Sequence, residues 1–171
     1  MPTLPTTFPS PAVLELLKTQ PPLLDVRSPA EFRQGKLLNS FNAPILNDAE
    51  REEVGTTYKR DGHDAAVLLG HRLVSGATKT QRVEQWQKYC LANTHAQIIC
   101  CRGGQPSAMA QQWLAAKGVP RKRVAGGFKA IRHGSLHVLA NPQKQWWLVS
   151  GRTGSAKTPL IQSLENGIDL E

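Results

Sequence analysis

The chain has 171 residues, enough to bury one ordinary core, and its 40% hydrophobic and 20% charged content argues against a disordered polypeptide. No apolar run approaches a membrane span, and the first residues lack the basic-then-apolar pattern of a secretory signal. Three cysteines (Cys90, Cys100 and Cys101) supply neither a disulfide framework nor a CxxC zinc site, so a cytoplasmic protein without a metal centre or membrane partner is expected. The formal net charge of +8 points to an anionic partner.

Residues 1–10 are rich in Pro and Thr and read as a loose arm. "SPAVLELLKTQ" is then a short helix capped by Ser10, with Pro11 at its first position. "PLLDV" is a compact buried strand, "SPAEFRQG" a turn after it, and "LLNSFNAP" a second short strand. Residues 47–76 form a polar helical region broken near Asp61-Gly62. "KTQRVEQWQKYCLAN" has helical apolar spacing and places Cys90 on the apolar side, where core packing is its expected role.

"AQIIC" is another buried strand, followed by "QPSAMAQQWLAAKG", a helix that stops at Gly118. "RKRVAGG" reads as a strand and turn, and "FKAIRHGSLHVLA" as the last helix of residues 11–140. Short apolar strands alternating with helices define an α/β domain with a mainly parallel sheet. From residue 141 a new unit begins, in which "QWWLVSGRTGSAKTPLIQSL" reads as strand, Gly-containing loop and helix.

Two features of this layout carry chemistry. A strand that ends in Cys100-Cys101 and runs through Arg102, Gly103, Gly104 and Gln105 into a helix forms a cradle of backbone N–H groups. Such a cradle holds an oxyanion and favours thiolate, an effect that Arg102 reinforces. Strand alternation makes one of the two cysteines buried filler, and a strained vicinal disulfide is disfavoured. The second feature is a basic cluster comprising Lys117, Arg121, Lys122, Arg123, Lys129 and Arg132. It is either a solvated face or a patch that contacts nucleic-acid phosphates.

"LLDVRSPAEFRQG" resembles the opening signature of rhodanese-like sulfurtransferases, with Asp25, Arg27, Glu31 and Gly35 in place, and "NAP" at residues 42–44 continues it. The resemblance implies a three-layer rhodanese-like domain over residues 11–140, with helices on both sides of a parallel sheet. More narrowly, "LNDAEREEVGTTYKRDG", "LGHRLVSG", "RGGQPS", "GGFKAIR", "GRTGSAKT" and "NGIDLE" resemble the bacterial tRNA 2-selenouridine synthase family.

That resemblance implies replacement of sulfur by selenium in wobble 2-thiouridine, through a geranylated intermediate. Selenophosphate and geranyl diphosphate are the implied co-substrates, with no tightly bound cofactor. The implied partners are the anticodon region of tRNA and a selenophosphate-supplying enzyme. Residues 141–171 would be the truncated start of a P-loop domain, with Gly151, Gly154, Lys157 and Thr158 as its phosphate-binding residues.

The family's loop, Cys-x-Arg-Gly-Gly-x-Arg-Ser, matches without gaps from Cys100 to Ser107. A generic register, Cys-x-x-Gly-x-x-Ser, selects Cys101 instead. Pro106 stands where the family has a second Arg, removing a cation and an N–H, and Ala156 stands where a P-loop has Gly. Neither cysteine has an Arg six positions on, which speaks against a cysteine phosphatase. Two alternatives stand beside the selenium-transfer reading: a general rhodanese-type sulfurtransferase, and a non-catalytic tRNA-binding remnant.

Overall fold

The computed structural model describes residues 9–141, 145 and 147–169. Most of the proposed arm, residues 1–8, lies outside them. The chain divides into two compact units, Met1–His137 and Val138–Glu171.

In the first unit, α1 (Pro11–Thr19) is capped by Ser10, whose hydroxyl accepts from Val13 N–H. Three strands, β1 (Leu23–Asp25), β2 (Ser40–Asn42) and β3 (Gln97–Ile99), form a parallel sheet in the order β2-β1-β3. Between β1 and β2 runs α2 (Pro29–Arg33), a short helix where the sequence suggested only a turn. Its cause is a capping box: Ser28 Oγ accepts from Glu31 N–H, while the Glu31 carboxylate accepts from Ser28 N–H.

The polar region forms α3 (Asp48–Asp61) and α4 (His63–Leu73), broken at Gly62, where φ is +89°. Helix α5 (Gly76–Ala92) leads to β3, and α6 (Gln105–Ala116) follows the cysteine loop. The latter ends where Gly118 takes φ +75°, a left-handed stop that costs glycine little. The strand expected in "RKRVAGG" contracts to one parallel bridge, Ile98 with Arg123. Only a few residues separate Pro120 from the turn at Gly126-Gly127, so a single rung forms before α7 (Gly127–Ala140) begins.

Strand parity sorts the core into two layers. Leu24, Ile98 and Cys100 pack with Val83, Trp86 and Cys90 of α5 and with Ala110 and Leu114 of α6. Leu23 and Ile99 pack on the other side with Leu16 of α1 and Ile131 of α7. The result is the expected three-layer α/β domain. Trp86 is fully buried and donates its indole N–H to the Ala43 carbonyl at 2.9 Å, tying α5 to the end of β2. Cys90 is a core residue whose thiol burial pushes to higher pKa, against a smaller opposing pull from Arg121.

The second unit contains α8 (Lys157–Ser163). Residues 145 and 147–150, expected as a strand, have no regular structure, and Trp146 lies outside the described residues.

Candidate functional site

The cysteine loop is built on the end of β3. Because Cys100 has the parity of Ile98, its side chain enters the α5–α6 layer and retains 3% exposure, whereas Cys101 is exposed. The Cys100 thiol donates to Ser107 Oγ at 3.2 Å, and Ser107 donates to the Gly104 carbonyl at 3.0 Å. Ser107 is fully buried. If Cys100 ionises, rotation of this hydroxyl lets it donate to the thiolate instead.

Arg102 and Gln105 are exposed, as are Gly104 and Pro106. Among the described residues, the backbone N–H groups of Arg102, Gly103 and Gly104 have no hydrogen-bond partner. The start of α6 follows them directly, and the backbone of Gly127 packs against Arg102 and Gly103. Pro106 lies in the first turn of α6, where a missing N–H breaks no helical bond.

The turn before α7 braces this loop. Phe128 and Lys129 donate their N–H groups to the carbonyls of Cys100 and Cys101, at 2.9 and 3.0 Å. Gly103 has φ +67° and Gly127 φ +60°. A Cβ on Gly127 would stand 2.2 Å from the Cys100 carbonyl oxygen and 2.5 Å from Gly103 N. Gly127→Ala therefore combines a left-handed backbone with a backbone clash. It is expected to cost at least about 2 kcal/mol, read as a lower urea midpoint at unchanged slope. In the sequence, the only sign of this brace is the pair of adjacent glycines before a helix in "GGFKAIR".

The basic cluster is only partly free. Arg123 donates to Gln111 Oε1 at 2.9 Å and to the Gly103 carbonyl at 3.2 Å, so it supports the loop. Arg121 donates to the carbonyls of Cys90 and Pro120, linking the end of α5 to the bridge. Lys117, Lys122, Lys129 and Arg132 are exposed.

The signature residues tie the end of β1 to α2 and Gly35 and reach the loop through Phe128. Asp25 and Arg27 form a buried pair: Arg27 Nε lies 3.0 and 2.9 Å from the two carboxylate oxygens, and Nη2 lies 2.6 Å from Oδ2. The guanidinium also donates to the Gly35 and Glu31 carbonyls and stacks 3.9 Å from the centre of the Phe128 ring. Glu31 serves the cap of α2 and pairs with Arg51 at 3.5 Å.

In the second unit, Lys157 Nζ donates to the Gly151 and Arg152 carbonyls, each at 3.0 Å. Gly154 has φ +83°, and Ala156 is left-handed at φ +57°. Thr158 is half-buried at the start of α8. Among the described residues there is no cluster of three metal-ligating side chains, and no helix is long and apolar enough to cross a membrane.

Fold and site together define a class: a parallel α/β domain whose third strand leads into a cysteine and passes through a glycine-containing loop into a helix. The sequence pattern of the rhodanese-like domain matches residues 10–133. The chain belongs to the rhodanese-like domain family, which supports a function of the sulfurtransferase type. It is also similar to the crystal structure of the N-terminal domain of a Clostridium difficile 630 protein described as ATP/GTP-binding. That similarity has 30% sequence identity and a TM-score of 0.59, covering 67% of this chain and 88% of the other.

Proposed function

We propose that the chain is the chalcogen-transfer part of a tRNA-modifying enzyme of the 2-selenouridine synthase type, with Cys100 as its reacting residue. The observation that carries this is the Cys100–Ser107 pair at the two ends of a loop in which the N–H groups of Arg102, Gly103 and Gly104 are unpartnered. Thiosulfate illustrates the half-reaction. The Cys100 thiolate bonds to the outer sulfur, sulfite leaves with the electron pair, and the loop N–H groups hold the anionic persulfide.

For the whole reaction, the exposed cations Arg102, Lys122, Lys129 and Arg132 serve the tRNA phosphates. In the second unit, Lys157 and Thr158, with Gly151 and Gly154, serve a phosphate or diphosphate such as that of geranyl diphosphate. The match to the amino-terminal part of a protein described as ATP/GTP-binding is consistent with a phosphate-handling unit.

Two measurements test the reading. Incubation with thiosulfate, followed by intact-mass analysis, is expected to give a one-atom sulfur adduct with release of sulfite; a folded protein without an adduct rejects the catalytic role. Binding to tRNA bearing 2-thiouridine is expected to weaken steeply with salt, log affinity falling linearly with log salt concentration. Absent or salt-insensitive binding would leave the second reading, a sulfurtransferase acting on small anions. The internal engagement of Arg121 and Arg123 favours that alternative, since it withdraws two cations from the patch.

A further inference from the structure

A cavity of about 230 Å³ lies beside the loop in the first unit, lined mainly by carbon. Val54 of α3, with Ala66, Val67 and Gly70 of α4, forms one side, and Met109 of α6 contributes to another. Gln105 and Pro106, which directly follow the unpartnered N–H of Gly104, line it as well. The cavity and the anion loop are therefore contiguous along the chain. The polar lining residues Tyr58, His63, His71 and Gln105 are all exposed.

Gly70 gives the second observation. It lies inside α4, where glycine is a poor helix former, and no turn or positive φ requires it. Close packing does not require it either, because a Cβ built there meets no atom within 4 Å. What glycine does at this position is leave space. Ala66, one turn earlier, lines the same cavity with another small side chain.

We propose that this cavity receives the hydrocarbon group of an organic sulfur compound whose anionic, sulfur-bearing end lies at the Cys100 loop. The inference rests on the reading that Cys100 accepts sulfur, and it assigns the substrate class: hydrocarbon-substituted sulfur compounds in preference to inorganic thiosulfate. An alkanethiosulfonate shows the balance. After the thiol proton leaves to solvent, Cys100 Sγ bonds to the terminal sulfur and the bond from that sulfur to the sulfonyl sulfur breaks. The electron pair departs with the alkanesulfinate. Cysteine is oxidised to persulfide, the donor is reduced to sulfinate, and two negative charges stand on each side. Apolar burial of the chain supplies affinity that thiosulfate lacks.

The test uses the full chain carrying Cys100→Ser, which cannot react, titrated calorimetrically with straight-chain alkanesulfinates from methane- to octanesulfinate. Affinity is expected to rise about fourfold per added methylene until the cavity is full. Gly70→Leu on the same background should weaken octanesulfinate about tenfold or more. Gly70→Ala should raise the thermal midpoint by about 2–4 °C through helix propensity. It should still weaken octanesulfinate about two- to fourfold, so the inference stays testable if the leucine variant does not fold.

Affinity independent of chain length, or unchanged in folded Gly70 variants, would overturn the inference. With reactive Cys100 present, octanethiosulfonate is expected to form persulfide faster than thiosulfate does, and faster persulfide formation from thiosulfate would likewise overturn it. Cavity-dependent sulfinate binding with no persulfide from any donor would instead uphold the cavity assignment and reject sulfur transfer at Cys100.

Discussion

Replacing Cys100 with serine is expected to abolish the sulfur adduct, a loss of about a thousandfold or more in its rate of formation. Cys101→Ser should leave the adduct intact. The expectation follows from parity: β3 directs Ile98 and Cys100 into one layer and Ile99 into the other, and the chain then leaves the sheet with Cys101 exposed. Cys100 has the hydroxyl of Ser107 at 3.2 Å, and no corresponding partner lies at Cys101 among the described residues. Ser107→Ala removes the group that can donate to the thiolate and should slow the reaction about tenfold or more while leaving the adduct on Cys100. Intact mass, followed by peptide mapping of the labelled cysteine, reads both results. A label on Cys101 in the unaltered protein would reverse the assignment.

The largest stability effect is expected at Arg27. Arg27→Ala leaves Asp25, 1% exposed, without its counter-ion, and such a loss costs about 3–5 kcal/mol. The same substitution strips donors from the Gly35 and Glu31 carbonyls and a stacked cation from Phe128. Because Phe128 N–H holds the Cys100 carbonyl, the damage should spread to the loop as slower adduct formation. Arg27→Lys retains the charge but not the planar fork and should fall between the two. Asp25→Leu with Arg27→Met removes both charges and should be less destabilised than Arg27→Ala alone. Urea unfolding measures the series. A loss below about 1 kcal/mol in Arg27→Ala would show that the pair contributes little, as exposed pairs do.

The residues that carry the fold were legible where local rules act. Ser10-Pro11 starts α1, Gly62 separates α3 from α4, and Gly118 stops α6, each because a cap or a left-handed turn depends on neighbours in sequence. The box Ser28-x-x-Glu31 was equally local, and reading it as a turn overlooked the reciprocal bonds that make α2. "RKRV" looked like a strand by composition. Its length as a strand depends on how soon the chain must turn into α7, and the turn at Gly126-Gly127 comes after one rung.

That an apolar strand ends in two cysteines and enters a helix through glycines is written in the order of residues 97–113. Composition, period and turn chemistry act over a few residues, and the chain states them directly. Tertiary structure alone decided the rest: which cysteine faces Ser107, that Arg121 and Arg123 bind carbonyls within the fold, that Asp25 and Arg27 form a buried pair stacked on Phe128, and that Gly70 leaves a cavity open beside the loop. Those outcomes depend on strand parity, on contacts between residues far apart in sequence, and on space left unfilled between helices.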